Sequence, residues 1–114
     1  MELPKQVRIG TQVWKITQRS RTNDGMLSED NFGYTLNKEN SIVIDSQITP
    51  SRKKQTLMHE LLHAIRFTFS NPNSPKKTDE VEVWEHFFIA SYEEGLLLLI
   101  RDNPHLLAYL LEKE

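Results

Sequence analysis

Gln55-Thr56-Leu57-Met58-His59-Glu60-Leu61-Leu62-His63-Ala64-Ile65 is the stretch from which the rest of the chain takes its arrangement. At about 100° per residue, Leu57, Met58, Leu61, Leu62, Ala64, Ile65 and Phe69 cover one continuous arc, and Arg52, Gln55, His59, His63 and Arg66 cluster opposite it. The spacing predicts an amphipathic helix whose histidines lie off the core-facing stripe. Histidines four residues apart project from one helical face a turn apart, so both imidazoles reach a single ion. Glu60 stands beside them, where a carboxylate takes the proton of a water activated by that ion. The plainer reading is a surface helix with two solvated histidines. It needs a coincidence of H-E-x-x-H that random order gives on the order of one time in a hundred. Thr49-Pro50 supplies an N-cap and a first helical residue, and Ser70-Asn71-Pro72 supplies a stop.

Before this helix, Val7, Ile9, Val13, Trp14 and Ile16 alternate with polar residues and are broken at Gly10-Thr11, which predicts two short strands and a tight turn. Asn23-Asp24-Gly25 marks another turn, and residues 26–31 read as a loop. Phe32 to Leu36 and Ser41 to Asp45 flank Asn37-Lys38-Glu39-Asn40 in the manner of a second hairpin. A small antiparallel sheet follows, with Ile42 and Ile44 facing the helices, Val43 facing outward and Asp45 at a strand end. After the helix, residues 70–77 carry turn and breaker chemistry. A second helix is expected from Thr78 or Asp79 to Arg101. Asn103-Pro104 ends it and opens a short terminal helix carrying Leu106, Leu107, Leu110 and Leu111, with His105 exposed in its first turn. The fold class is α+β, a sheet followed by three helices.

The 114 residues suit a single domain, 1–114, with one modest core. A formal charge of −2 offers no basic field for nucleic acid, and Lys53-Lys54 and Lys76-Lys77 are short pairs on solvated faces. With no cysteine, a metal must be held by imidazole and carboxylate. The longest apolar run, Leu96 to Ile100, is too short for a bilayer, and the first residues lack a basic-then-apolar order, so a soluble cytoplasmic protein without membrane contact is expected. Oligomeric state is left open.

A catalytic zinc takes three protein ligands and leaves one position for water. Arg66 and Phe69 stand where another arrangement would need Gly and a third His, so the remaining ligand falls to the second helix. Glu82, Glu85 and His86 lie within one turn there. With Asp79 as N-cap, Glu82 would sit at the third helical position and close a capping box. Glu85 has no such competing use, and His86 would complete a three-His site.

The order of two hairpins, the 55–65 stretch, an acidic helix and a closing Gly95-Leu96 through Arg101-Asp102-Asn103-Pro104 resembles small phage-associated proteins related to ImmA/IrrE-type zinc metallopeptidases, from about Val7 to Leu111. In those proteins an acidic residue lies some ten positions before the Gly, which lands on Glu85. Their usual carboxylate doublet is replaced here by Glu85-His86.

The resemblance implies a minimal zincin-like fold and a gluzincin-like metalloprotease holding Zn²⁺ on His59, His63 and Glu85, with Glu60 as general base. It implies a regulatory endopeptidase of phage or prophage origin acting on a protein or peptide in trans. The alternative is a catalytically silent zincin-fold binding module. His86, Tyr92, Tyr34 and Arg66 are the candidates for stabilising a tetrahedral oxyanion.

Overall fold

The computed structural model describes residues 1–69 and 74–113. Four strands, β1 (Gln6–Ile9), β2 (Gln12–Arg19), β3 (Gly33–Leu36) and β4 (Ser41–Asp45), precede three helices, α1 (Pro50–Thr68), α2 (Val81–Asp102) and α3 (Pro104–Leu111). The expected α+β layout is present, and both hairpins form where the turn residues predict them.

The sheet differs from expectation at its centre. Its order is β1-β2-β4-β3, and β2 runs parallel to β4, with Ile16 opposite Ile42 and Gln18 opposite Ile44. The two antiparallel hairpins are thus joined through their second strands, giving a mixed sheet. Val43 faces away from the helices as expected, but it is 2% exposed because that face is covered. Its cross-strand partner Tyr34 shares its face, and the Tyr34 hydroxyl donates to Asp24 Oδ2 at 2.5 Å. The connection between β2 and β3 therefore lies over that face, and its Leu27 and Asp24 are buried. Asp45, fully buried at the end of β4, accepts from Arg21 Nε at 3.0 Å and from the Gln47 amide at 2.9 Å. That is the structural role a strand-end Asp was expected to have.

The other face of the sheet carries the core. Ile9, Trp14, Ile42 and Ile44 pack with Leu57, Leu61, Ala64 and Ile65 of α1 and with Leu99, Leu106 and Tyr109. α1 begins as predicted, with Thr49 Oγ1 accepting from the Arg52 amide and Pro50 in the first turn. The predicted stop at Ser70-Asn71-Pro72 lies outside the described residues, as does the 70–73 part of the following loop. Within α1 the buried arc is Leu57, Glu60, Leu61, Ala64 and Ile65, while Met58 is exposed. The stripe is rotated so that a carboxylate, not the thioether, meets the sheet.

α2 starts at Val81, later than expected, with Glu80 as a cap residue that makes no side-chain cap bond. Asp79 instead accepts from the Lys76 amide at 2.8 Å. This removes the capping box assigned to Glu82, which lies only two residues past the cap. At the far end, Asn103 is 9% exposed and ties α2 to β1. It donates to the Leu99 carbonyl and to the Arg8 carbonyl, and accepts from the Arg8 amide at 2.8 Å. Its amide thereby mimics a neighbouring strand along the outer edge of β1.

Candidate metal centre

His59 and His63 stand on the exposed side of α1, and their Nε2 atoms are 3.2 Å apart. Two Zn–N bonds of about 2.05 Å at a near-tetrahedral angle put their nitrogens about 3.3 Å apart, so the pair is spaced as ligands of one ion are. Imidazole pairs of this kind are suited to zinc, which makes the two histidines a fitting half of a donor set.

Glu60 points the other way round the helix and is 5% exposed. Its Oε1 accepts from the Thr35 hydroxyl at 2.8 Å, while its Oε2 lies 3.9 Å from His59 Nε2. One carboxylate oxygen is thus fixed by the sheet and the other is turned toward the histidines. β3 comes this close because Gly33 has no side chain. A Cβ there would stand 2.8 Å from Thr56 Cγ2 and 2.8 Å from the Val43 carbonyl oxygen, and 3.4 Å from Glu60 Cγ. A groove of about 260 Å³ opens beside this contact, lined by Asn31, Phe32, Gly33, Arg52, His59 and Glu60 among others.

The sequence model of the IrrE N-terminal-like domain, the peptidase M78 family, matches residues 16–103. The chain belongs to this family. No curated protein and no solved structure matches it. The matched span of the M78 domain runs from β2 to Asn103, and so takes in the mixed part of the sheet, both long helices and the His59-Glu60-His63 centre. The relation to ImmA/IrrE-type metallopeptidases expected from the motif is therefore present, with a metallopeptidase-like fold.

The third ligand is a different matter. Among the described residues, no three His, Cys, Asp or Glu side chains are gathered as an ion would require. His59, His63 and Glu60 are brought together, whereas Glu82, Glu85 and His86 are all exposed on α2. The buried side of α2 is Phe87, Ser91, Gly95 and Leu99, and Glu85 lies on its flank. What α1 presents to this part of α2 is Arg66, whose guanidinium lies 5.3 Å from the Phe87 ring centroid and 5.9 Å from that of Phe88.

The oxyanion candidates also separate. Tyr34 is on the opposite face of the sheet from α1, bonded to Asp24. Burial and the Asp24 bond push its phenol above the ordinary range, and that bond, with the Met26 amide, holds the Asp24 carboxyl below its own. Tyr92 stacks on Phe88 and packs against the core, and His86 is exposed. Arg66 stays nearest the histidines in sequence, one turn past His63. The residues that sequence reasoning passed over are Gly33 and Thr35. Their signal was the alternation of β3, which puts both on the helix-facing side, but nothing local tied that side to Glu60.

Proposed function

We propose that this M78 domain is a zinc-dependent peptidase that hydrolyses a protein or peptide supplied in trans. The observation that carries the proposal is the pairing of two imidazole nitrogens 3.2 Å apart with a buried carboxylate oriented by Thr35. His59 and His63 would hold the ion, and we assign Glu85 as the third ligand because it matches the acidic position of the resembling proteins and is not committed to core packing. When bound, zinc supplies Lewis acidity, polarising a peptide carbonyl and acidifying a water.

The chain's own residues do the rest. Thr35 occupies Glu60 Oε1 and leaves Oε2 as the oxygen that accepts the proton and returns it to the leaving amine. The Asp45 amide donates to the Phe32 carbonyl, so residues 32 and 34 turn their backbone groups toward β4 while Gly33 and Thr35 turn theirs to the open edge. An extended peptide adding to this edge would pass beside Glu60. The regulatory and phage-related reading rests on the sequence resemblance described above.

A silent binding module is the second reading, and the observation favouring it is that, among the described residues, no third ligand is gathered beside the histidines. One set of measurements separates the two. Purified protein should contain one zinc, His59→Ala or His63→Ala should lose it, and Glu85→Ala should weaken it sharply while Glu82→Ala and His86→Ala keep it. Glu60→Gln should retain zinc and lower hydrolysis by about two orders of magnitude or more. Zinc-loaded wild type that cleaves nothing, with a biological effect that survives Glu60→Gln, would establish the binding module.

A further inference from the structure

A second cavity, of about 870 Å³, is several-fold larger than the groove at Glu60 and shares no lining residue with it. It opens where β2 outruns β1. Pairing between the two strands reaches only from Gln6–Lys15 to Ile9–Gln12, with one further bond from the Ile16 amide to the Lys5 carbonyl. Beyond that point β2 continues to Arg19, bonded to β4 alone.

The direction of the remaining backbone groups follows from two bonds. The Lys15 amide donates to Asn40 and the Ser46 amide donates to the Arg19 carbonyl, so odd-numbered residues here face β4. Gln18 therefore turns its N–H and C=O toward the cavity. Higher on the same side, Asn103 covers the edge of β1 at Arg8. The sheet edge is closed at one end and open at the other.

Charge distinguishes this opening from an ordinary edge. Lys5, Lys15, Lys53 and Lys54 line it against Glu2 and Glu112, an excess of positive charge on a chain whose formal net charge is −2. Its floor is apolar, with Ile16 buried beneath and the Tyr109 ring 4.7 Å from Lys54 Nζ. Natural sheets use lysine to discourage association at edges, but four lysines around a concave opening also select a ligand of opposite sign.

We propose that this cavity docks an extended acidic segment of a partner protein. The segment adds a strand to β2 at Gln18, its alternate side chains enter the apolar floor, and its carboxylates meet the lysines. The site shares no lining residue with the groove at the histidine centre, and docking there does not call on zinc.

The test is fluorescence anisotropy with a labelled peptide of roughly ten residues alternating Glu with Val or Thr. It should bind saturably at low salt and weaken several-fold as ionic strength rises. EDTA-treated protein should bind it equally well. Lys15→Glu and Lys53→Glu should each weaken binding about tenfold. Gln18→Pro removes an amide that the sheet does not use, so it should abolish binding with the far-UV spectrum and melting temperature retained. Equal binding of the same peptide with Lys in place of Glu would overturn the proposal, as would preference for a single-stranded oligonucleotide. Should Gln18→Pro lose the fold, the two lysine variants decide: undiminished binding in both overturns it.

Discussion

Thr35 carries more of the candidate centre than its type suggests. Its hydroxyl bonds one oxygen of a carboxylate that is almost wholly out of water, and a buried acceptor left without its donor costs about 1–3 kcal/mol, more when charged. Thr35→Val keeps the shape and removes the donor. Stability to urea should fall by about 2 kcal/mol, zinc content should stay at the wild-type level, and hydrolysis should drop because Glu60 is no longer held toward the histidines. An unchanged urea midpoint would show that the bond contributes nothing in solution. The histidines belong to the same scale, and their separation is a property of the helix: four residues on one face need no help from the sheet to meet. Glu60 needs that help, which is why H-E-x-x-H identifies all three residues but leaves the orientation of the carboxylate unstated.

Elements meet in this molecule where side chains are missing or where one side chain imitates a backbone. Gly95 lets α2 cross α1, since a Cβ there would overlap Ile65 Cγ2 and touch the Phe69 ring at 3.0 Å. Gly33 does the same for β3 and α1. Asn103, the residue between α2 and α3, ties α2 to β1 by three hydrogen bonds, two of them to the main chain of Arg8 and one to the Leu99 carbonyl. Asn103→Ala should cost about 2 kcal/mol. Amide hydrogen exchange should also show faster exchange at Arg8, whose N–H loses its acceptor. Wild-type protection at Arg8 in the variant would count against the strand-mimicking role. Helix entry signals were legible locally, as the Thr49-Pro50 start shows, but the start of α2 was not. Asp79, Glu80 and Glu82 are all plausible cap chemistry, and which is used depends on the preceding turn, where Asp79 is spent on the Lys76 amide.

At the scale of the whole molecule, the connection between β2 and β3 is tied across the outer face of the sheet by Tyr34 and Asp24, and this bond has a pH signature. The Tyr34 bond, then the Met26 amide, hold the Asp24 carboxyl below its ordinary 3.8, with Arg19 3.8 Å away adding to the effect against desolvation. A lowered carboxyl stabilises the fold above its unfolded pKa and ceases to do so as pH falls through the folded one. Tyr34, raised above 10.0, stabilises the fold below its unfolded pKa and loses that contribution as pH climbs through the raised value. Urea stability should therefore decline below about pH 4, and Asp24→Asn should flatten that acid limb; an identical limb in the variant would remove Asp24 from the account. No helix of the described residues is long and apolar enough to cross a membrane. What the sequence by itself determined was whatever depends on neighbours within a turn or a hairpin: the α+β order, the α1 cap, the paired histidines, the two hairpins, and the family they point to. Only the tertiary structure decided the parallel pairing of β2 with β4, the burial of Val43, the hold of Thr35 on Glu60, and the flank position of Glu85. Each of these depends on partners brought from distant parts of the chain, where periodicity fixes which face a residue shares and not what that face will meet.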